Sequence, residues 1–380
     1  MWFKSINTFQ RSKIVKNSYY LSIYINGLFK LKSKVINEKI RIRVNKLTRK
    51  VIIMDEFEFI DSVKPDTYRQ ESLQKGIGDD AAVFRVASND IVTAVDTFVE
   101  NIHFSPKTID AYHIGYRALA ANMSDMAAMG AVPKFYLVSI TIPGHVSSGD
   151  LKLVYDGMKE IASTYKMDLI GGDTVSGDRL VITITVIGFV VPNKARYRSV
   201  ARHQDIVFVT GTLGNAQAGL HILMNDLAVI GREKFIKSHQ KPIPRVAFAT
   251  SLQSLHRLAL NDISDGIANE LQEIAVASNV NIIIEDDKIP IHPHLQQFSL
   301  QQQFEWKYFG GEDFELVGTV PSKDWEVVKE NAKKHSLLIT KIGTVTNSND
   351  KSGQVYVKKN NHIQLLKKQG YVHKVGERSE

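Results

Sequence analysis

The chain has 380 residues, enough for two domains, and its 43% hydrophobic and 9% aromatic side chains are ordinary for a protein that buries a core. It has no cysteine, which excludes disulfides, thiolate metal sites and cysteine nucleophiles. The net charge of +8 invites a nucleic-acid partner, but that charge is localised: residues 1–53 carry 13 Lys and Arg and one acid, Glu38, whereas the rest holds 35 basic and 39 acidic side chains.

The basic leader mixes Lys and Arg with Ile, Tyr and Leu without a clean period, and it lacks the unbroken apolar run of a signal peptide or membrane span. It reads as an extension outside the fold, upstream of a start at Met54. A transit peptide and an RNA-binding arm are the other readings of the same composition.

Beyond it, strands alternate with amphipathic helices. Residues 91–96 (IVTAVD) predict a strand. Residues 110–129 predict a helix stopped by Gly130 and Pro133, and 135–142 alternate as a strand. Ser148 is placed to cap a helix running to about Lys166. Residues 180–191 (LVITITVIGFVV) are apolar and β-branched, hence a buried strand. The polar, turn-like stretch 192–202 marks a boundary between domains at 54–195 and 196–380. The second half opens with the strand IVFVTG near Asp205. Helices are expected near 214–224, 245–259 and 266–278, and strands near 281–285, 314–320, 338–345 and 354–358. Each half mixes strands and helices, so the class is α/β or α+β.

The chemistry is carried by acids beside glycines and at strand ends: Asp79 and Asp80 (GIGDDAAVF), Asp96 (AVDTFVENIHF), Asp125 (ANMSD), Asp173 (LIGGDT), Asp262 and Asp265 (NDISDG), and Glu312 and Asp313 (GGEDFEL). Carboxylates gathered in one pocket repel unless cations lie between them, and Mg²⁺ takes a few carboxylates together with waters and phosphate oxygens. Neighbouring glycines let backbone and phosphate approach closely. Each motif alone also reads as a turn, with Ser264 and Asp265 as helix caps and Asp173 as an Asx turn. Their repetition favours a metal–phosphate site. The stretch 76–81 fits GxGxxA, but two aspartates there would repel a pyrophosphate. No Walker A loop, HRD/DFG pair, HExxH or GxSxG is present. Gly211–Gly219 (GTLGNAQAG) reads equally as an anion-binding turn and as a packing turn. His292 and His294 read as surface residues.

Taken in order, GIGDDAAVF, VDTFVENIHF, ALAANMSDMAAMGA, LIGGDTVSG, RSVARHQDIVFVTGTLGNAQAGL, DISDGIANEL and GGEDFEL resemble the motifs of thiamine-monophosphate kinases, in the superfamily of aminoimidazole ribonucleotide synthetase. The resemblance runs from about Asp55 to the C-terminus. It implies a two-domain fold, an N-terminal α/β domain whose sheet pairs with its copy in a cytoplasmic homodimer and a C-terminal α+β domain that closes over it. It also implies transfer of the γ-phosphoryl of ATP, with several Mg²⁺ ions, to thiamine monophosphate, and no nucleic-acid or membrane partner. By position it implies metal ligands at Asp79, Asp96, Asp125, Asp173, Asp262 and Asp265. It implies catalytic roles for Asp125, Asp265 and Arg198, and nucleotide contacts at Gly172, Asp173, Arg198, Ser264 and Tyr155. Acceptor contacts fall at His103, Glu312 and Tyr371. The chain departs from the family pattern at Ala94 and Val95, where hydroxyl residues are usual, and at Lys367-Lys368-Gln369, where a tryptophan is often seen. Two alternatives remain open from sequence: another ATP-dependent enzyme of the superfamily acting on a phosphorylated small molecule, and a nucleic-acid-binding protein driven by the leader.

Overall fold

The structure is a computed structural model that describes residues 62–75, 83–84, 89–348 and 353–369. The chain divides into Met1–Ile53, which lies outside the described residues, and Met54–Glu380. Asp79, Asp80 and Tyr371 also lie outside them.

After a short hairpin of β1 (Leu73–Lys75) and β2 (Val83–Phe84), the first half builds one four-stranded sheet and two helices. The strands are β3 (Asp90–Val99), β4 (Val132–Pro143), β5 (Asp168–Gly177) and β6 (Val181–Val190), in the order β3-β6-β4-β5. Only the β4–β5 pair is parallel. Between them come α1 (Ala111–Ala128) and α2 (Ser148–Tyr165). Asp110 caps α1 by accepting the His113 N–H at 2.9 Å, and Gly130 closes it with a left-handed φ of 67°. Ser147, not Ser148, caps α2, in a capping box with Asp150.

α1 is apolar nearly all round and buried accordingly. Leu119, Met123 and Met126 have no exposed surface, each contributing roughly 1.5–3 kcal/mol by burial. α1 and α2 touch backbone to backbone. A Cβ added at Gly115 would lie 1.8 Å from Val154 O, and one at Gly157 would lie 1.9 Å from Tyr112 O.

The sheet covered by these helices is open on its other side. β6 alternates buried and half-buried residues along its whole length, so the run 180–191 is a one-sided strand and not the fully buried one expected from its composition. The open face carries Ile91, Val95 and Val175, each about half exposed or more (55%, 59% and 49%).

The second half is a seven-stranded sheet of β7 (Ile206–Thr210), β8 (Ala259–Asp262), β9 (Val280–Glu285), β10 (Leu316–Val320), β11 (Ile339–Asn347), β12 (Val355–Lys359) and β13 (His362–Leu365), in the order β13-β12-β9-β11-β7-β10-β8. Its helices are α3 (Asn215–Asn225), α4 (Arg232–Gln240), α5 (Val246–Ser251), α6 (Ile267–Ser278), α7 (Leu300–Phe309) and α8 (Trp325–Lys334). One face packs Val207, Val209 and Ile284 against α6. The opposite face joins the core of the first half, so that Phe208, Leu260 and Leu316 share one apolar cluster with α1. The helix expected over 245–259 is only α5, six residues long, because the chain then turns to enter β8.

Candidate active site

The junction of the two halves gathers acids from three elements. Asp96 lies on β3, on the face turned to α1, and its N–H donates to Asn122 Oδ1 of α1 at 3.0 Å. Asp125 stands in the last turn of α1. Asp262 ends β8, and Ser264 and Asp265 follow in the turn before α6. These groups feel one another. Burial first, then the carboxylates of Asp262 and Asp96, raise the pKa of Asp125 far above the usual carboxylate range. Asp262 is likewise raised by burial and by Asp96, while the Ser124 hydroxyl and Arg198 pull it down. Asp96 is raised by burial and by Asp265.

A fifth acid was not anticipated from the sequence. Glu270, in the first turn of α6, is buried, and its carboxyl is pushed up to about 8 by burial and by Asp262. It accepts the Asp265 N–H at 3.2 Å and the Ser264 hydroxyl at 3.4 Å, and it is hydrogen-bonded by Asn261 Nδ2. Asn261 Oδ1 in turn accepts from Arg198 Nε at 3.0 Å. Asn261 and Glu270 thus join the arginine to the DISDG turn. Ser264 and Asp265 do not cap α6, whose N-cap position is Gly266 without a side-chain bond.

Arg198 sits in a short 3-10 turn, Arg198–Val200, and its side chain is half exposed. With Asp125, Asn261, Asp262, Arg196 and Ser199 it lines a cleft of about 420 Å³. Arg196 fixes one wall by donating to Leu255 O at 3.0 Å and Leu252 O at 2.5 Å.

His103 lies just beyond β3. Its Nδ1 accepts the Val99 N–H at 3.0 Å, and its ring packs 5.5 Å from that of Phe98. Glu312 forms an ion pair with Arg117 of α1, and its N–H donates to Ser264 O at 2.8 Å. The neighbouring acid of the same motif has a different task. Asp313 accepts the N–H groups of Gly214 and Ala216 at 2.6 and 3.0 Å, across the start of α3. The helix N-terminus of GTLGNAQAG is therefore already occupied by a carboxyl group of the protein itself, and the loop is a packing turn.

Asp173 is not brought to the other acids. It sits in the extended β5, so it forms no Asx turn, and it pairs with Ser139. In the ladder, Asp96 faces Ile184, Ile184 faces Val138, and Val138 faces Gly172. Three strand spacings, about 14 Å, separate β3 from β5. The pleat puts Asp173 on the open face with exposed Ser139, opposite to Asp96. Gly172 has a packing reason, since a Cβ there would lie 2.0 Å from Val138 O. Tyr155 packs on α2 against the first-half core, beside Tyr136. Of the two departures before Asp96, the pleat places Ala94 on the Asp96 face and Val95 on the open face. Among the described residues, no three His, Asp or Glu side chains are gathered tightly enough to hold a metal ion by themselves.

Comparison with known proteins agrees with this architecture. Residues 78–190 match the family model of AIR synthase related protein, N-terminal domain, and residues 204–356 match that of its C-terminal domain. A thiamine-monophosphate kinase of Bacillus subtilis (strain 168) is 45% identical over 327 residues, covering 84% of this chain and 99% of that protein. The crystal structure of thiamine-monophosphate kinase from Stenotrophomonas maltophilia K279a superposes with a TM-score of 0.69 at 29% identity, over 84% of this chain and 94% of that one. A structure of AaThiL complexed with AMPPCP and TMP superposes with a TM-score of 0.65 at 28% identity, over 83% and 96%. Motif order, fold and similarity over nearly the whole length of a relative agree: the chain belongs to the thiamine-monophosphate kinase family.

Proposed function

We propose that the protein transfers the γ-phosphoryl group of ATP directly to the phosphate of thiamine monophosphate, giving thiamine diphosphate. The observation that carries this is the crowding of acids at one place: Asp125 and Asp262 line a cleft with Arg198, Asp96 is near enough to act on both acids, and Asp265 is near enough to act on Asp96. The complex of AaThiL with AMPPCP and TMP supports the choice of an adenine nucleotide and a phosphorylated acceptor.

The donor set fits Mg²⁺. All are hard carboxylate oxygens, and the raised pKa values of Asp96, Asp125 and Asp262 record burial first and then mutual repulsion, which a cation between them would relieve. That they are not gathered tightly fits an ion that takes one or two carboxylates each and fills its shell with phosphate oxygens and water. When bound, Mg²⁺ would neutralise charge on the transferring phosphoryl group. We assign ligands for more than one ion to Asp79, Asp96, Asp125, Asp262 and Asp265, and keep Asp173 as a ligand apart from them, on the opposite face of the sheet. Because Asp173 is on the open apolar face, we propose that a second copy of the chain covers that face in a homodimer.

Arg198, steadied at Nε by Asn261, would offset charge on the γ-phosphoryl oxygens. Ser264, Gly172 and Tyr155 are assigned to the nucleotide, and His103, Glu312 and Tyr371 to the acceptor. A phosphate monoester loses its second proton near pH 6, so the acceptor arrives as a nucleophile and no strong base is needed. The chain's contribution is then positioning in line and charge complementarity. We place the enzyme in the cytoplasm; no helix among the described residues is long and apolar enough to cross a membrane.

The test is incubation of purified protein with ATP, Mg²⁺ and thiamine monophosphate, with thiamine diphosphate read by chromatography. Product that needs both Mg²⁺ and the acceptor is expected. Folded protein that binds ATP yet leaves the acceptor unchanged would overturn the reading.

A further inference from the structure

Arg117 is 1% exposed in the middle of α1. A guanidinium stays charged in a protein, so burying it demands a counter-ion. Two groups face it. Glu312 Oε2 pairs with Nη2, and His239 Nε2 of α4 stands 3.4 Å from Nη1. Arginine only donates, so this His239 nitrogen accepts and the imidazole is neutral. Of the two, only Glu312 brings negative charge.

The loop that delivers Glu312 is held by several bonds at once. Glu312 and Phe314 both have left-handed backbones, with φ of 66° and 50°, a costly conformation for residues other than glycine. It is kept in place by Glu312 N–H on Ser264 O and Phe314 N–H on Ile263 O, at 2.8 and 3.0 Å, and by Asp313 at the start of α3. The Glu312 side chain remains 27% exposed. With Oε2 taken by Arg117, Oε1 is left for a ligand. α1 also carries Asp125, eight residues further on, which is about 12 Å along a helix axis. One rigid helix thus links the carboxylate cluster to Glu312, over roughly the length of an extended phosphorylated two-ring acceptor.

We propose that Arg117 is a positioning residue for the acceptor: by holding Glu312 through Oε2 it presents Oε1 as the hydrogen-bond acceptor for the amino-substituted heteroaromatic end of that molecule. The proposal rests on the reading of Glu312 as the acceptor-side acid. It makes no claim on the nucleotide, and that separates it from a purely structural role.

The experiment measures KM for thiamine monophosphate and for ATP separately in Arg117→Met, Arg117→Lys, Glu312→Gln and the double variant Arg117→Met/Glu312→Gln, with thermal unfolding alongside. Arg117→Met and Glu312→Gln should each raise KM for thiamine monophosphate roughly tenfold or more, the loss of a charge-assisted hydrogen bond, and leave KM for ATP within about twofold. The double variant should be no worse than either single one, because both remove the same contact. Arg117→Lys should recover part of the loss, having the charge without the planar fork. If Arg117→Met does not fold, Arg117→Lys and the charge-neutral double variant carry the same comparison. Equal rises in both KM values on changing Arg117 would overturn the proposal. So would an unchanged acceptor KM in the Arg117 variants when Glu312→Gln raises it. An unchanged acceptor KM in Glu312→Gln would instead remove the reading of Glu312 on which the proposal stands.

Discussion

Two groups of acids in this molecule are differently served. Around β7 and β10, Glu315 pairs with Arg245 and accepts the Thr210 hydroxyl at 2.6 Å, Asp205 pairs with Arg257, and Asp313 takes two helix N–H groups. At the junction of the two halves, Asp96, Asp125, Asp262 and Glu270 feel one another's charge, with Arg198 beside Asp125, Asp262 and Glu270, and Lys368 near enough to act on Glu270 and Asp265. The first group is complete within the chain, so it is scaffold. The second is incomplete without added positive charge, and that incompleteness is what a site for metal-bound phosphates requires.

The contrast breaks most sharply at Asp125. Asp125→Ala should lower turnover about a thousandfold or more while leaving the melting temperature unchanged or higher, since a repelled charge is removed. Thiamine diphosphate formation and thermal unfolding, read on the same preparation, check both halves. Lost folding would move Asp125 into the scaffold group.

Glu315→Gln should do the reverse. Stranding the Arg245 guanidinium should cost about 3 kcal/mol in chemical denaturation, with turnover per folded molecule retained.

Asp313 gives a smaller effect with a definite sign. Burial pushes its carboxyl up to about 7, against about 4 in an unfolded chain. Below pH 4 both states hold the proton, and between 4 and 7 only the folded state does. The Asp313 contribution to stability therefore falls as pH rises through that window. Asp313→Asn should remove that part of the slope and weaken the start of α3 by about 1 kcal/mol at acid pH, where a urea titration would show it. An unchanged slope would mean that Asp313 stays ionised on its helix N-terminus.

The finest test separates the two faces of β3. Ala94→Ser adds a hydroxyl on the Asp96 side and should lower the Mg²⁺ concentration for half-maximal activity about threefold, the worth of one modest polar contact. Val95→Thr, on the open face, should leave that concentration alone. Equal responses would mean that the pleat does not sort these positions.

Much of this was legible in the sequence, for identifiable reasons. The strands at 91–96 and 135–142 and helices α1, α2 and α6 show their periods plainly. β5 goes unread, with Asp173 open to an Asx-turn reading, because LIGGDTVSG has no strand period and is extended only through its ladder with β4. α4 and α7, REKFIKSHQ and LQQQFEWKYF, went unread because their apolar residues are few and serve a small cluster that forms only in the fold, with Phe235 and Trp306 around Phe298. The acids in DISDG and ANMSD stood out by type and neighbours. The partners that organise them did not: Glu270, Asn261 and Arg117 carry no local signal, and their importance comes from distances between segments. Nor could composition reveal that Asp173 faces away from Asp96, which depends on register.

The glycine contacts between α1 and α2 also bear on how the cleft can open. With Gly115 seated against the Val154 carbonyl and Gly157 against that of Tyr112, the two helix backbones interlock at two points. Shear, the usual motion of packed helices, is disfavoured by that interlock. Any opening of the cleft therefore carries α1 and α2 together, with Asp125 and Arg117 kept in fixed relation on one helix.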